Sequence, residues 1–411
     1  MAIGVQSGPP ADTSEWPLNL DVKGLLEIGW RPTPFRQFIL KIHSRCNLAC
    51  DYCYVYEMAD QSWRRQPRRM ARETIDAAAL RIAEHVHDNG LSQVEVILHG
   101  GEPLLAGADH IRYAVTALRA AVDPAVDVSV LLQTNGVLLD TVFLDLFDAL
   151  DVSVGVSVDG DAESHDRHRV RANGTGSYAA VRTGLEKLTS PRYRHLFNGV
   201  LSTIDLRGDP VTTYESLLQF APPTMDFLLP HGNWDFPPPG LSPHGAATPY
   251  ADWLVALFDR WYGARKQETH VRLFSEIIRM LLGQASRTEA IGLSPVTVVV
   301  VETDGSLEQV DSLKAAYEGA ADTAMHVARD AFDAALLHPA IAARQLGSRA
   351  LSAECTGCDV KRICGGGLYP HRYRSGRGFL NASVYCRDLF RLITHIHRTL
   401  ANDVAMLRKG S

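Results

Sequence analysis

An α/β protein is predicted, built on a parallel sheet that is open or partly closed as an incomplete barrel and followed by a cysteine-rich C-terminal module. Three observations predict it. Strand-like apolar runs alternate with helix-period stretches from residue 35 to 230, the alternation ends in a proline-rich stretch, and all seven cysteines fall in two patches. At 411 residues, 46% apolar and 21% charged, the chain is long enough for two or three packed units and lies outside the disordered and collagen-like classes.

Residues 1–34, rich in Gly, Pro, Ser and Thr, read as an arm in which only 18–30 is apolar enough to dock. Strands are expected at 38–43, 94–99, 128–134, 152–158, 198–203 and 225–229, with helices between them such as 74–87 and 110–121. Parallel neighbours require right-handed crossovers, and chemistry in such folds gathers at the C-terminal strand ends. The barrel unit then spans 35–230. Six prolines in 230–249 exclude regular structure there, leaving a loop that drapes over the open face or a surface linker. Helices follow at 250–262 and 268–282, completing a bridging segment, 231–294. Runs at 296–302 and 307–310 flank Thr303-Asp304-Gly305-Ser306, a hairpin signal that opens a separate module, 295–389, before a C-terminal helix and tail, 390–411.

Net charge is −6 (41 Lys and Arg against 47 Asp and Glu), so no nucleic-acid partner is expected. Residues 1–10 lack a basic and apolar leader, and no apolar run approaches the roughly 20 residues of a membrane span. An odd cysteine count without a leader points to reduced thiolates in the cytoplasm. The one dense basic run, 63–69, reads as a solvated loop or a docking point for an acidic leader peptide.

Cys46, Cys50 and Cys53 form C-x3-C-x2-C just after the first strand. Three thiolates hold three corners of an iron–sulfur cube and leave one iron open, whereas zinc would want a fourth ligand, for which His43 is available. This motif resembles that of radical S-adenosylmethionine (SAM) enzymes. His99-Gly100-Gly101-Glu102-Pro103 is similar to the family's GGEP motif, in which glycines permit close backbone approach and Glu102 pairs with the cofactor's amino group. Gln133-Thr134-Asn135-Gly136 and Ser157-Val158-Asp159-Gly160 resemble the next two contacts, at successive strand ends. The resemblance implies S-adenosylmethionine bound by Tyr52, Gly100, Gly101, Glu102, Asn135, Ser157 and Arg169. Tyr52 would pack on adenine, and Ser157 and Arg169, the latter from the run Arg167, Arg169, Arg171, would meet the carboxylate end.

Cys355, Cys358, Cys364 and Cys386 suffice to saturate a second cluster, with a zinc ribbon as the alternative. Their spacing resembles the SPASM-type auxiliary-cluster domain, which usually carries seven cysteines and two clusters. Leu368 and Val310 stand where further ligands would be. The resemblance therefore implies one auxiliary 4Fe–4S cluster beside the radical SAM one, and a partial (β/α)6 TIM-like barrel with a SPASM-like module.

Segments 38–50, 308–314 and 383–389 resemble the FxsB-type branch, which modifies ribosomally made peptides. That resemblance implies a precursor peptide as partner, an external one-electron reductant, and hydrogen abstraction by a 5′-deoxyadenosyl radical. It further implies a bond from an aromatic ring to a β-carbon, closing a three-residue cyclophane, with one electron leaving through the auxiliary cluster. Asp311 is similar to the family's base, and it also suits a simple hairpin-end residue. Three plus four cysteines leave no thiol for an epimerase and no open second iron for thioether formation. Side-chain dehydrogenation is the second enzymatic reading, and a zinc-stabilised binding protein the non-enzymatic one.

Overall fold

The computed structural model describes residues 15–242 and 245–410. The leader reading of residues 1–10 lies outside them. After a short helix α1 (Val22–Glu27), six parallel strands follow in sequence order: β1 (Gln37–His43), β2 (Gln93–Gly100), β3 (Asp127–Thr134), β4 (Val152–Ser157), β5 (Phe197–Thr203) and β6 (Thr224–Leu228), each bonded to the next. Helices α2 (Arg72–Asp88), α3 (Ala108–Ala121), α4 (Thr141–Ala149), α5 (Ala162–His168), α6 (Tyr178–Leu188) and α7 (Pro210–Leu218) lie between them.

Each strand stands where an apolar run predicted it: β1, β4 and β6 are buried at most positions, and β2 and β3 alternate buried with partly exposed residues. Helices start soon after strand ends because short acids cap them. Asp140, Asp161 and Asp209 accept from the backbone N–H groups of Phe143, Ser164 and Thr212, and Pro210 opens the first turn of α7. Helix α2 buries Ile75, Ala78, Ala79, Ile82 and Val86 at helical spacing, against the core that contains Phe38, Leu40, Val96 and Leu98.

The sheet has ten strands rather than six. Helix α8 (Pro249–Tyr262) precedes a two-residue strand β7 (His270–Val271) on the free side of β6, and α9 (Arg272–Leu281) follows. The expected helix at 268 therefore begins four residues late: Thr269 turns its hydroxyl to the Pro222 carbonyl and the chain stays extended through Val271. At the other edge, β8 (Val298–Val301), β9 (Ser306–Glu308) and β10 (Asp322–His326) complete the order β10-β9-β8-β1-β2-β3-β4-β5-β6-β7. The hairpin assigned from sequence to a separate module thus continues the main sheet, with β8 parallel to β1. All four valines of β8 are buried, which demands a neighbour on both sides.

Within its described part, the arm is held at Trp16, Pro17 and Thr33 rather than through 18–30. Pro17 is buried, the Trp16 carbonyl accepts from Phe379 N–H, and Thr33 exchanges backbone hydrogen bonds with the Gln345 carboxamide. Helix α1 buries no residue. Gly378, at φ +58°, lets this contact form, since a Cβ there would overlap the Trp16 oxygen. Trp16 joins a small apolar cluster with Val310, Leu313, Tyr369 and Phe379, so the position where a cysteine is lacking is packed with hydrocarbon. Among the described residues, no helix is long and apolar enough to cross a membrane.

Candidate active site

The first three cysteines lie on the loop that leaves β1, and β2 holds that loop in place. Beyond the sheet, Gly101 N–H bonds to the His43 carbonyl (2.8 Å) and Glu102 N–H to the Arg45 carbonyl (2.9 Å), extending the β1–β2 pairing into the turn. Side chains would block it. A Cβ on Gly100, at φ +152°, would overlap the His43 oxygen, and one on Gly101 would overlap the Tyr56 hydroxyl and stand 2.5 Å from the Arg45 carbonyl group. The two glycines thus bring the backbone against the cysteine loop, a closer constraint than approach to a ligand.

Glu102 is fully buried and gathers neighbouring strand ends. Its carboxylate accepts from Leu104 N–H (3.0 Å), the Thr134 hydroxyl (2.7 Å) and Asn135 N–H (2.8 Å). Three of its roughly four acceptor positions are taken, leaving one for an ammonium group. The Asn135 side chain reaches back to Asn47 Oδ1 (2.8 Å) and Cys46 Sγ (3.5 Å). Ser157 accepts from the Gln133 carboxamide at 3.0 Å.

Tyr52 and Arg169 come together across 117 residues: the Arg169 guanidinium donates to the Tyr52 hydroxyl at 2.7 Å, and that hydroxyl donates to Asp159. Asp159, which also accepts from Thr203 N–H, was not singled out from sequence, nor was Asn47. The signals available were their places, Asp159 two residues past Ser157 at a strand end and Asn47 inside the C-x3-C spacing. Among the described residues, the buried donors Arg169 Nε and Asn47 Nδ2 have no hydrogen-bond partner, and both suit a carboxylate-bearing ligand at this mouth. The residues present therefore fit S-adenosylmethionine.

Among the described residues, the thiols are not gathered as a zinc tetrahedron would gather them. Among the described residues, the only three His, Cys, Asp or Glu ligand atoms mutually within 4.8 Å belong to Glu302, Glu308 and Asp311. A zinc tetrahedron with Zn–S bonds of about 2.3 Å needs sulfurs about 3.8 Å apart, closer than either cysteine patch holds them. His43 does not complete such a set and turns its Nδ1 to the Arg45 backbone. Burial pushes the Cys46 thiol up to about 12 and Cys50 to about 11, so a strongly positive centre is what would keep these sulfurs as thiolates. In the second patch, burial and the mutual repulsion of Cys355, Cys358, Cys364 and Cys386 raise Cys364 to about 11 and Cys386 to about 12.

Asp311 lies in a buried ion cluster. Lys41 Nζ on β1 is 2.7 Å from Glu302 and 3.2 Å from Asp311, and Lys314 Nζ is 3.2 Å from Glu302 and 2.9 Å from Glu308. Two ammonium groups occupy the space between three carboxylates. Burial pushes Glu308 up to about 7, with Glu302 and Asp311 adding and Lys314 opposing. Against burial, Lys41 and Lys314 hold Glu302 down to about 2. Between the ordinary value of 4.5 and 7 the folded state binds more protons at Glu308 than the unfolded chain does, so stability falls as pH rises through that window. Glu302 acts oppositely, its stabilisation being lost as pH falls from 4.5 toward 2. The urea midpoint is expected to decline from about pH 5 to pH 8 and to flatten in Glu308→Gln; an equal slope in both proteins would remove Glu308 as the source.

A cavity of about 1160 Å³ opens beside the cysteine loop, past the ends of β5 and β6. Asp51 and Tyr52 of the cysteine loop form one wall, Tyr373 and Ser375 of the C-terminal region another, and Phe236 of the proline-rich segment, 65% exposed, a third. That segment lines the substrate-sized space rather than bridging over the surface.

Residues 40–214 match the family model described as Radical SAM superfamily. The serine-type anaerobic sulfatase-maturating enzyme of Klebsiella aerogenes is 25% identical over 369 residues, covering 86% of this chain and 84% of that one. The cysteine-type enzyme of Clostridium novyi (strain NT) is 26% identical over 282 residues, 65% and 71% of the two chains. The solved structure of native anSMEcpe with bound AdoMet and Cp18Cys peptide shares the fold at TM-score 0.73 and 21% identity, over 90% of this chain and 99% of the other. Residues 40–214 thus carry the sequence match to the radical SAM superfamily, and anaerobic sulfatase-maturating enzymes are among the chain's homologues. A 4Fe–4S cluster and S-adenosylmethionine go with that family.

Proposed function

We propose that the chain matures a ribosomally made precursor peptide by joining an aromatic ring to a β-carbon, closing a three-residue cyclophane. The observation that carries this is the cavity, which runs from the first cysteine loop to the C-terminal region and is walled by aromatic and proline side chains suited to an extended peptide with an aromatic residue. The peptide in the anSMEcpe structure supports a peptide occupant.

Bound at Cys46, Cys50 and Cys53, a cluster with S-adenosylmethionine supplies hydrogen-atom abstraction from carbon, and a second cluster at Cys355, Cys358, Cys364 and Cys386 supplies a one-electron acceptor. The chain's own residues do the rest. Glu102 would take the cofactor's amino group, Ser157 and Arg169 its carboxylate end and Tyr52 its adenine, while Gly100 and Gly101 fix the loop that presents it and Asp311 takes the proton released when the ring regains aromaticity. An external reductant supplies the electron that starts each turnover.

Anaerobic reconstitution is expected to give about eight irons per chain, falling to about four in Cys364→Ala or Cys386→Ala; about two zincs in a colourless protein would overturn both cluster assignments. Co-expression with the peptide of the adjacent small reading frame is expected to remove two hydrogens within one tripeptide that then resists fragmentation. Unchanged mass with altered chirality refutes the crosslink. The homologues' names favour a second reading, oxidation of a peptide side chain, which also removes two hydrogens but leaves the tripeptide open to fragmentation.

A further inference from the structure

The basic run that follows the cysteine loop takes no part in that chemistry. Residues 61–72 hold five arginines and no acid, in a chain whose net charge is −6. Arg65 pairs with Glu318 at 3.0 Å. Arg64, Arg68, Arg69 and Arg72 are exposed, and their guanidinium groups make no hydrogen bond or ion pair among the described residues. Arg64 lies over the Trp63 ring and Arg72 over the Tyr113 ring. Carboxylates close by have other partners: Asp304 accepts from the Gln66 carboxamide, and Asp76 from the Tyr113 hydroxyl.

The backbone that carries these arginines is pinned to the chain leading into Cys46. Ser44 N–H bonds to the Arg68 carbonyl (2.9 Å), Met70 N–H to the Ile42 carbonyl (3.1 Å), and the Arg45 guanidinium donates to the Trp63 and Gln66 carbonyls. Helix α2 starts where the run ends, and Ala71 before it offers no side-chain cap, so the positive end of the helix adds to the field. Like charges held on a fixed backbone repel one another, a standing cost that a bound polyanion removes.

This basic strip runs up to the cavity. Gln61 N–H and the Arg65 guanidinium both bond to Glu318, which lines the cavity together with Met58 and Ala59. The cavity wall has the opposite sign: its Glu57 and Asp235 have no cation partner among the described residues. Acids of a bound peptide are thus turned away from the cavity and drawn to the strip outside it.

We propose that Arg64, Arg68, Arg69 and Arg72 form a docking strip for an acidic segment of the precursor peptide, beside the part that enters the cavity. Carboxylates match exposed guanidinium groups in charge and in geometry. The continuous charge of a nucleic acid would run on to Glu318 at one end and Glu73 at the other, whereas a peptide's acids can stop where the arginines stop. The proposal rests on the cavity being the peptide site.

The test uses the anaerobically reconstituted full chain and two rhodamine-labelled peptides that share a Phe-Gly-Leu end. The other end carries six alternating Asp and Glu residues in one and six alternating Asn and Gln residues in the other. The wild type is expected to bind the acidic peptide about tenfold more tightly at about 50 mM salt, the order of three exposed ion pairs, and to lose most of that preference at about 500 mM. The triple variant Arg64→Ser/Arg68→Ser/Arg69→Ser is expected to bind both peptides as the wild type binds the neutral one. Its melting temperature and iron content should not change, since those guanidinium groups hold no other part of the chain. Equal binding of the two peptides by the wild type, a preference that persists at high salt, or one kept in the triple variant overturns the strip and leaves the cavity reading in place. Hexauridylate bound as tightly as the acidic peptide overturns the peptide occupant and assigns the strip to phosphates. Binding of neither peptide, or an acidic peptide that binds equally well without its Phe-Gly-Leu end, overturns the peptide reading of the cavity, and with it the strip as part of that site.

Discussion

Asp311→Asn is expected to cleave S-adenosylmethionine like the wild type while forming about 10²- to 10⁴-fold less modified peptide, the range that general-base catalysis spans. The substitution keeps side-chain shape and removes the group that accepts the proton. It should not unfold the chain. Two ammonium groups face three carboxylates in the cluster, so losing one negative charge brings the count to two against two, and Lys41 keeps Glu302 at 2.7 Å. The measurement is 5′-deoxyadenosine against crosslinked product in the same reaction. Undiminished crosslinking with Asn at this position ends the assignment of Asp311 as base and leaves it a structural member of the ion cluster.

Gly101→Ala is expected to empty the first cluster site while leaving the second filled, so that iron falls from about eight to about four per chain and cofactor cleavage stops. The new methyl would overlap the Tyr56 hydroxyl, which can swing aside, but it would also stand 2.5 Å from both carbonyl atoms of Arg45, which cannot. Arg45 immediately precedes Cys46, so the displaced backbone is the one that carries the sulfurs. A full complement of iron in Gly101→Ala would show that the loop relaxes without moving its cysteines.

Strands were legible where one physical demand dominates, and the same holds for the cysteines. Phe38, Leu40, Ile42 and their counterparts in β2 to β6 are buried, so their runs stand out against the helices. Each cysteine patch is compact in sequence. What was hidden depends on distant partners. Lys41 sits in an apolar strand with nothing nearby to show that Glu302 and Asp311, 261 and 270 residues on, will surround it. Tyr52 read as an adenine platform, and its hydrogen bonds to Arg169 and Asp159 depend on the segments that follow β1 and β4 converging although β2 and β3 lie between those strands. Strands β7 and β10 were missed because two residues, or a bulged five with Ala324 at φ +59°, carry no periodicity. His231 and His371, in a loop and a short 3₁₀ turn, announce nothing until their rings are seen to meet.

The pairing of β8 with β1 sets an order in the protein's birth. β1 leaves the ribosome well before its second neighbour, Val298–Val301, which follows roughly 260 residues later. Until that neighbour arrives, the strand that leads into Cys46 has one bare edge of unpaired N–H and C=O groups, the kind of edge that invites pairing with another chain. Closure of that edge therefore waits for Val298–Val301, and Asp311 arrives on the same stretch of chain that seals it.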